Sequence, residues 1–298
     1  MNWFLKMAAL ILIWSLSWSI YKVALAYTPP VLFSAMRCLL GGVLLIPFIW
    51  KTRDRIKWRK NWSIYMIAGI LNMAFFFGFQ TAGLKLVPSG LFSVIVYFQP
   101  ILVGLFSWLW IGEIMTVSKV VGLILGFIGV ISVSAEGFSG NISIFGVTLG
   151  LLSALSWGLG TVFVKKTAKQ VDTLWMVALQ CLIGGTFLSI ASFFTESWTS
   201  ITWNSTYLFG LAFGSIFGIA VSWILYVWLV KTGDPSVVAT YTFLVPLLAV
   251  MIGTFLLGEP FTIYLLLGIV LIVASIYLVN KKPAHIRENE TSKKYQSA

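Results

Sequence analysis

The sequence is short of charge. Only 10% of its 298 residues are Asp, Glu, Lys or Arg, where a soluble domain carries about a quarter. Without that charged shell, much of the folded surface has to face lipid. Acid is scarcest of all: nine Asp and Glu occur in the whole chain, and none stands in the middle of an apolar run. Buried-carboxylate proton exchange therefore finds no obvious residue, and neither does an acid/base or nucleophilic centre. The single histidine, His285, lies in a hydrophilic stretch, and the two cysteines, Cys38 and Cys181, lie inside apolar runs. These numbers exclude a disulfide framework and a zinc site, and the cysteines read as small buried hydrophobes. Phosphate-loop motifs, charged rings and filter-like repeats are absent as well. No catalytic residue, metal or cofactor is expected.

What is present is apolar. Hydrophobic residues make up 59% of the chain and aromatic ones 16%, with a mean hydropathy of +0.96. The runs are continuous rather than alternating, which favours helices over a barrel, and they approach the roughly 20 residues that a helix needs to cross hydrocarbon. They fall near 7–27, 31–50, 62–83, 88–111 and 117–135, then near 145–165, 173–193, 205–230, 236–257 and 262–280. The expected fold is an all-α integral membrane protein with ten transmembrane helices. Ala24-Leu25-Ala26 at the end of the first run looks like a signal-peptidase site. That run is longer than a typical signal core and has a counterpart later in the chain, so cleavage is disfavoured.

Basic residues set the orientation. With the N-terminus inside, Lys6, the Lys51–Lys60 cluster, Lys119, Lys165, Lys166, Lys169, Lys231 and the tail from Lys281 are all cytoplasmic. The outer side keeps only Lys22 and Lys85, near span ends, and Arg37 lies within or near the second span. Both termini are thus expected in the cytoplasm of a cell-membrane protein. The net charge of +11 records this topology, and no nucleic-acid partner is inferred from it.

The halves resemble one another. An offset of 143 carries Trp14 to Trp157, Lys22 to Lys165, Cys38 to Cys181 and Gly41-Gly42 to Gly184-Gly185. Later the offset becomes 146 and carries Lys85 to Lys231, Pro100 to Pro246, Gly112-Glu113 to Gly258-Glu259 and Gly122 to Gly268. An odd number of spans per unit reverses the second copy, giving two inverted-topology repeats of five. The expected divisions are 1–135, 136–280 and a cytoplasmic tail over 281–298. Inverted repeats are a hallmark of secondary transporters that expose a midplane site alternately.

Tyr97-Phe98-Gln99-Pro100, Trp110-Ile111-Gly112-Glu113 and the glycine-spaced run from Gly122 to Gly129 resemble one half of an EamA-type transporter. Thr242-Phe243-Leu244-Val245-Pro246, Leu257-Gly258-Glu259 and Gly268 resemble the other half, and Arg37 matches the pattern at the second span. The resemblance covers about residues 7–280. It implies the drug/metabolite transporter superfamily, a central cavity, and export of small metabolites such as amino acids. Import or exchange of small solutes is the alternative, and a membrane enzyme is disfavoured.

Cavity candidates come from polar and aromatic faces, where hydrogen bonds orient a solute and aromatic walls bury its apolar part. Trp14, Trp18 and Tyr21 share one side of the first helix, with Ser17 close by. Asn72 and Gln80 mark the third helix, Ser93 and Tyr97 the fourth, Trp157 and Thr161 the sixth. Trp223 and Tyr226 stand in the eighth and Thr240 in the ninth. Each could instead serve an interfacial belt or a helix contact. Lys22 either snorkels or binds a substrate carboxylate; Arg37 pairs with backbone carbonyls or with substrate. Pro100 and Pro246 are expected to kink equivalent helices and shape the cavity. Glu113 reads as a cap or as an interfacial packing residue, and Asp234 as an N-cap before Pro235. Gly210, Gly214 and Gly218, like Gly122 and Gly126, read as close-packing positions. The partners expected are a small-molecule substrate and the lipid bilayer, with the protein a monomer or homodimer.

Overall fold

A computed structural model describes residues 2–84, 86–87, 89–134, 143–257 and 262–281, with the backbone alone at Trp18, Ser19, Lys22, 89–91 and 253–257. The candidates Trp18 and Lys22 therefore have side chains outside the described residues, and Lys85, Glu259, His285 and the tail beyond 281 lie outside altogether.

Among the described residues every regular element is a helix. Helix α1 (Trp3–Ala24) and α2 (Pro30–Ile49) come first. Then α3 (Trp58–Gly69) runs through a π-helical turn, Ile70–Phe75, into α4 (Phe76–Leu84). Helices α5 (Ser89–Val96) and α6 (Gln99–Ile111) form one broken rod, and α7 (Val117–Val133) follows. The second half repeats this order. It runs α8 (Ile144–Lys166), α9 (Thr173–Thr195), then α10 (Ser205–Phe213), a π segment Gly214–Val221 and α11 (Ser222–Thr232). The broken rod α12 (Pro235–Tyr241) and α13 (Leu244–Leu257) comes next, and α14 (Ile263–Asn280) closes the order. Eight helical stretches are long and apolar enough to cross a membrane, and two shorter apolar helices, Trp3–Ser17 and Val117–Val133, accompany them.

Local chemistry sets the helix starts. Asp172 accepts hydrogen bonds from Leu174 N and Trp175 N, and Asn204 accepts one from Tyr207 N. Thr116 caps α7 through Lys119 N, and its counterpart Thr262 caps α14 through Leu265 N, both at 3.2 Å. Such caps satisfy donors that the first helical turn leaves open. Helix α2 starts on Pro29-Pro30 and borrows its cap. The Glu196 carboxylate, from the segment after α9, accepts from Val31 N at 3.0 Å and Leu32 N at 2.8 Å.

Two long pairings organise the bundle, and glycine makes both. A Cβ on Gly42 of α2 would press on Leu182 of α9 at 2.9 Å, and one on Gly185 of α9 would press on Leu39 of α2 at 2.9 Å. Residue numbers rise along α2 as they fall along α9, so the pair is antiparallel. The same holds for α7 with α14. Gly122 faces Val279, and Gly268 faces Val133. In both pairs the offsets of 143 and 146 exchange one contact for the other. Gly122 and Gly126 thus pack within the chain, against α14 and, for Gly126, also against Phe243.

Large apolar side chains cover the outside, with Phe48, Val117 and Ile144 at least 80% exposed. Tryptophans stand both at the surface and in the core. Trp50, Trp58, Trp62, Trp108 and Trp110 are exposed beside one set of loops, and Trp198 and Trp203 at the opposite end, as in an interfacial belt. Trp157, Trp175 and Trp223 are buried.

Candidate functional site

A cavity of about 90 Å³ opens among helices of both halves. Helix α1 contributes Trp14, Ser17 and Tyr21, spaced three and four residues apart and so on one face. Helix α2 contributes Arg37; α4 adds Phe76, Phe77 and Gln80; Val96 and Tyr97 come from the end of α5. The second half supplies Trp157, Gly218 and Trp223. Seven of the candidates named from sequence with described side chains, Trp14, Ser17, Tyr21, Gln80, Tyr97, Trp157 and Trp223, therefore share one wall with Arg37.

The cavity is graded in polarity. Tyr21 stands about 10 Å along α1 from Trp14, and with the Arg37 guanidinium, 4.0 Å from its ring, it forms a polar end. The other end is aromatic. Trp14 meets Trp157 with centroids 5.6 Å apart, Trp223 at 6.4 Å and Tyr226 at 5.3 Å. Phe76 lies 4.9 Å from Trp157, and Tyr97 lies 6.5 Å from it. These are edge-to-face and tilted arrangements of the kind aromatic quadrupoles favour.

Beneath this floor runs a hydrogen-bond chain with a fixed direction. The Thr161 hydroxyl donates to the Trp157 carbonyl at 2.8 Å, so the Tyr226 hydroxyl, 2.7 Å away, donates to Thr161. Gln99 Nε2 then donates to Tyr226 at 3.4 Å. Thr161 and Tyr226 thus sit one layer below the wall. Three further candidates lie away from the wall. Asn72 Nδ2 donates to Gln180 Oε1 at 3.4 Å, the Ser93 and Ser134 hydroxyls are 3.4 Å apart, and Thr240 donates to the Ser236 carbonyl.

The glycines of the eighth span have a job more specific than helix packing. A Cβ at Gly214 would strike the Arg37 side chain at 2.5 Å, and one at Gly218 would overlap the Tyr21 hydroxyl. Both glycines belong to the π segment, so the irregular turn is where Arg37 and Tyr21 find room. Gly160 does the same for Asn72, whose amide oxygen a Cβ there would overlap.

The expected Asp234 cap needs correction, and the prolines and Lys165 take more specific places. Pro100 and Pro246 do more than kink: each rod breaks just before them, and each proline falls in the first turn of the helix that follows, where its missing N–H is unneeded. The Thr242 carbonyl near the second break accepts from Val245 N at 3.0 Å, and Ser15 of α1 donates to the Val245 carbonyl at 3.2 Å. Asp234 occupies an N-cap position but makes no cap hydrogen bond; its carboxylate lies 3.4 Å from Lys119 Nζ. The cap comes from Glu113, which accepts from Ser236 N and from the Ser236 hydroxyl while pairing with Lys119 at 2.8 Å. The capping carboxylate is thus the buried Glu113, while the Asp234 side chain is 59% exposed. The Lys165 ammonium donates to the carbonyls of Lys231 and Gly233 at 3.1 and 2.7 Å, closing the end of α11.

Sequence reasoning missed Phe76, Phe77, Val96, Gln99, Gln180 and Glu196. The offset of 143 takes Arg37 to Gln180, a signal that was available; the phenylalanines carry none that separates them from lipid-facing ones.

The sequence profile of the EamA-like transporter family matches the chain over residues 1–135 and 144–281. The chain is 50% identical over 278 residues to the Bacillus subtilis protein named Uncharacterized transporter YvbV, covering 93% of this chain and 91% of that one. It is 28% identical to the Escherichia coli K12 protein named Uncharacterized inner membrane transporter YedA, covering 91% and 88%. One chain of known crystal structure superposes with a TM-score of 0.82 at 21% identity, over 93% of this chain and 95% of that one, and so shares its fold.

Proposed function

Because the chain belongs to the EamA-like transporter family, we propose that it is a secondary carrier exporting a small organic solute across the cell membrane by alternating access. Membership and the transporter-named relatives point away from an enzyme, and the apolar helices make it a multi-pass membrane protein. The observation that carries the proposal is the cavity, because both halves build its wall and its floor. Ten spans in two inverted sets of five are supported by the antiparallel α2–α9 and α7–α14 pairings, whose contacts exchange under the repeat offsets. Such pairings let one bundle rock against the other about a central site. The basic loops favour cytoplasmic termini. The resemblance of the motifs to exporters supplies the direction.

The test is untargeted metabolite profiling of medium from cells overproducing the protein, beside Trp157→Ala and Tyr97→Ala variants of equal membrane abundance. A solute enriched by the intact protein alone identifies cargo and places these rings on its path. Enrichment by all three proteins would discard the pocket, and none from well-expressed protein would discard export.

A further inference from the structure

Arg37 is the one described cation in the cavity wall, and it is 4% exposed. Its guanidinium has five donors. Nη2 donates to Ser34 Oγ at 3.2 Å, and Nε has no partner. Among the described residues no carboxylate lies within ion-pair distance of it. Aromatic faces hold the guanidinium, with its carbon 4.0 Å from the Tyr21 ring centroid and 4.7 Å from that of Phe33. Rings accept a cation only weakly compared with an anion, so the buried charge remains under-compensated. Beside it the Tyr21 hydroxyl is also buried and without a hydrogen-bond partner.

The second half shows that the fold does not need this charge. At the position equivalent to Arg37 stands Gln180, and at the position equivalent to Tyr21 stands Val164. Gln180 is buried in the same kind of helix pairing and bonds Asn72 instead. A neutral amide, its Nε2 also without a partner, therefore fills the equivalent place, and what Arg37 adds is a positive charge for a group that enters the cavity. The partner must bring an oxyanion, which a guanidinium and a hydroxyl together bind through charge-assisted hydrogen bonds. The rest of the wall is aromatic, so the remainder of the partner must be apolar. No described acid lines the cavity to receive an ammonium.

We propose that Arg37 and Tyr21 form an anion subsite for a solute bearing one carboxylate on an aromatic or branched apolar body, an organic acid rather than an amine or a neutral compound. This rests on the carrier reading above and narrows it to a substrate class. The carboxylate sits at the Arg37 end and the body against Trp14, Trp157 and Trp223.

The experiment titrates the full-length protein in phosphatidylcholine nanodiscs with 3-phenylpropionate, 3-phenylpropanamide and 3-phenylpropylamine, read by tryptophan emission. The acid should bind saturably and at least about tenfold more tightly than the amide or the amine. Arg37→Gln should weaken the acid by about tenfold or more at a nearly unchanged melting temperature, and Tyr21→Phe by roughly threefold. Equal binding of acid and amide overturns the subsite, as does wild-type affinity in Arg37→Gln, or no saturable response to the acid up to roughly 10 mM. If Arg37→Gln does not fold, the acid–amide comparison and Tyr21→Phe still decide the matter. Uptake of the labelled acid into proteoliposomes separates the two proposals. Arg37-dependent binding without movement ends the carrier reading and leaves the subsite. Movement of a neutral or cationic solute equally by wild type and Arg37→Gln ends the subsite and leaves the carrier.

Discussion

Trp14 and Trp157 stand 143 positions apart in the chain, yet their rings meet edge to face, centroids 5.6 Å apart and planes at 72°. Each is the other's counterpart under the repeat offset. Their contact joins the two halves of the chain, so these rings mark where the halves meet at the cavity floor. Trp157→Ala is expected to cost about 3 kcal/mol of stability, measured by thermal unfolding in detergent, because a large buried ring leaves a void. Trp157→Phe should restore most of it.

Gly218→Ala should act through Tyr21 rather than through helix packing at large. The added methyl meets the Tyr21 hydroxyl first, so Gly218→Ala alone should reduce transport at least about tenfold. Combining it with Tyr21→Phe should cost less than the two effects added, a coupling of about 1 kcal/mol in a double-mutant cycle. Strict additivity would separate the two residues.

At the basic-loop end, Lys119 links Glu113 to Asp234. The Glu113 side chain is 6% exposed, so Lys119→Met strands a buried carboxylate. A loss of about 3 kcal/mol is expected, visible as a lower melting temperature. Lys119→Met/Glu113→Gln should recover part of it, since the orphaned charge is then gone. Asp234→Asn should do little, because that carboxylate is 59% exposed and exposed pairs contribute under about 1 kcal/mol.

Glu196 holds the start of α2 from a distance in sequence. Glu196→Ala should lower stability by about 1–2 kcal/mol, and Glu196→Gln by less, because the amide keeps one acceptor for Val31 N or Leu32 N. Hydrogen exchange at the first turn of α2 should rise in the same order.

Reporter fusions after Ser143 and Gln170 test the arrangement of spans. The first is expected outside and the second in the cytoplasm. Finding them on the same side would remove the inverted repeat.

Helix positions were legible because their signals are local: apolar runs of spanning length and a proline at 235 in the first turn of α12, whereas the caps at Thr116 and Thr262 were not read from the sequence. The α1 face of Trp14, Ser17 and Tyr21 followed from helical spacing alone. What stayed hidden depends on partners far along the chain. No local pattern tells that Glu113 would cap α12 in place of Asp234, or that Lys165 would reach the end of α11. The π segments were equally invisible, since Ile70–Phe75 and Gly214–Val221 read as ordinary apolar helix until Arg37 and Tyr21 are seen against the second of them. Tryptophan composition could not say which rings face lipid and which face the cavity.

The pairing of Arg37 with Gln180 has an energetic consequence. A carrier made of two true copies would hold its two facings at equal free energy, since exchanging the copies turns one facing into the other. Arg37 on one side and Gln180 on the other lift that degeneracy. The guanidinium shares its cavity with Tyr21, whereas in the proposed carrier's opposite facing the neutral amide would stand in the equivalent place. Every 1.4 kcal/mol or so between the two is a tenfold bias in occupancy. In the proposed carrier this is one of the differences between the halves that would bias the empty protein toward one facing, and a bound acid would reduce its share of that bias by pairing with the charge.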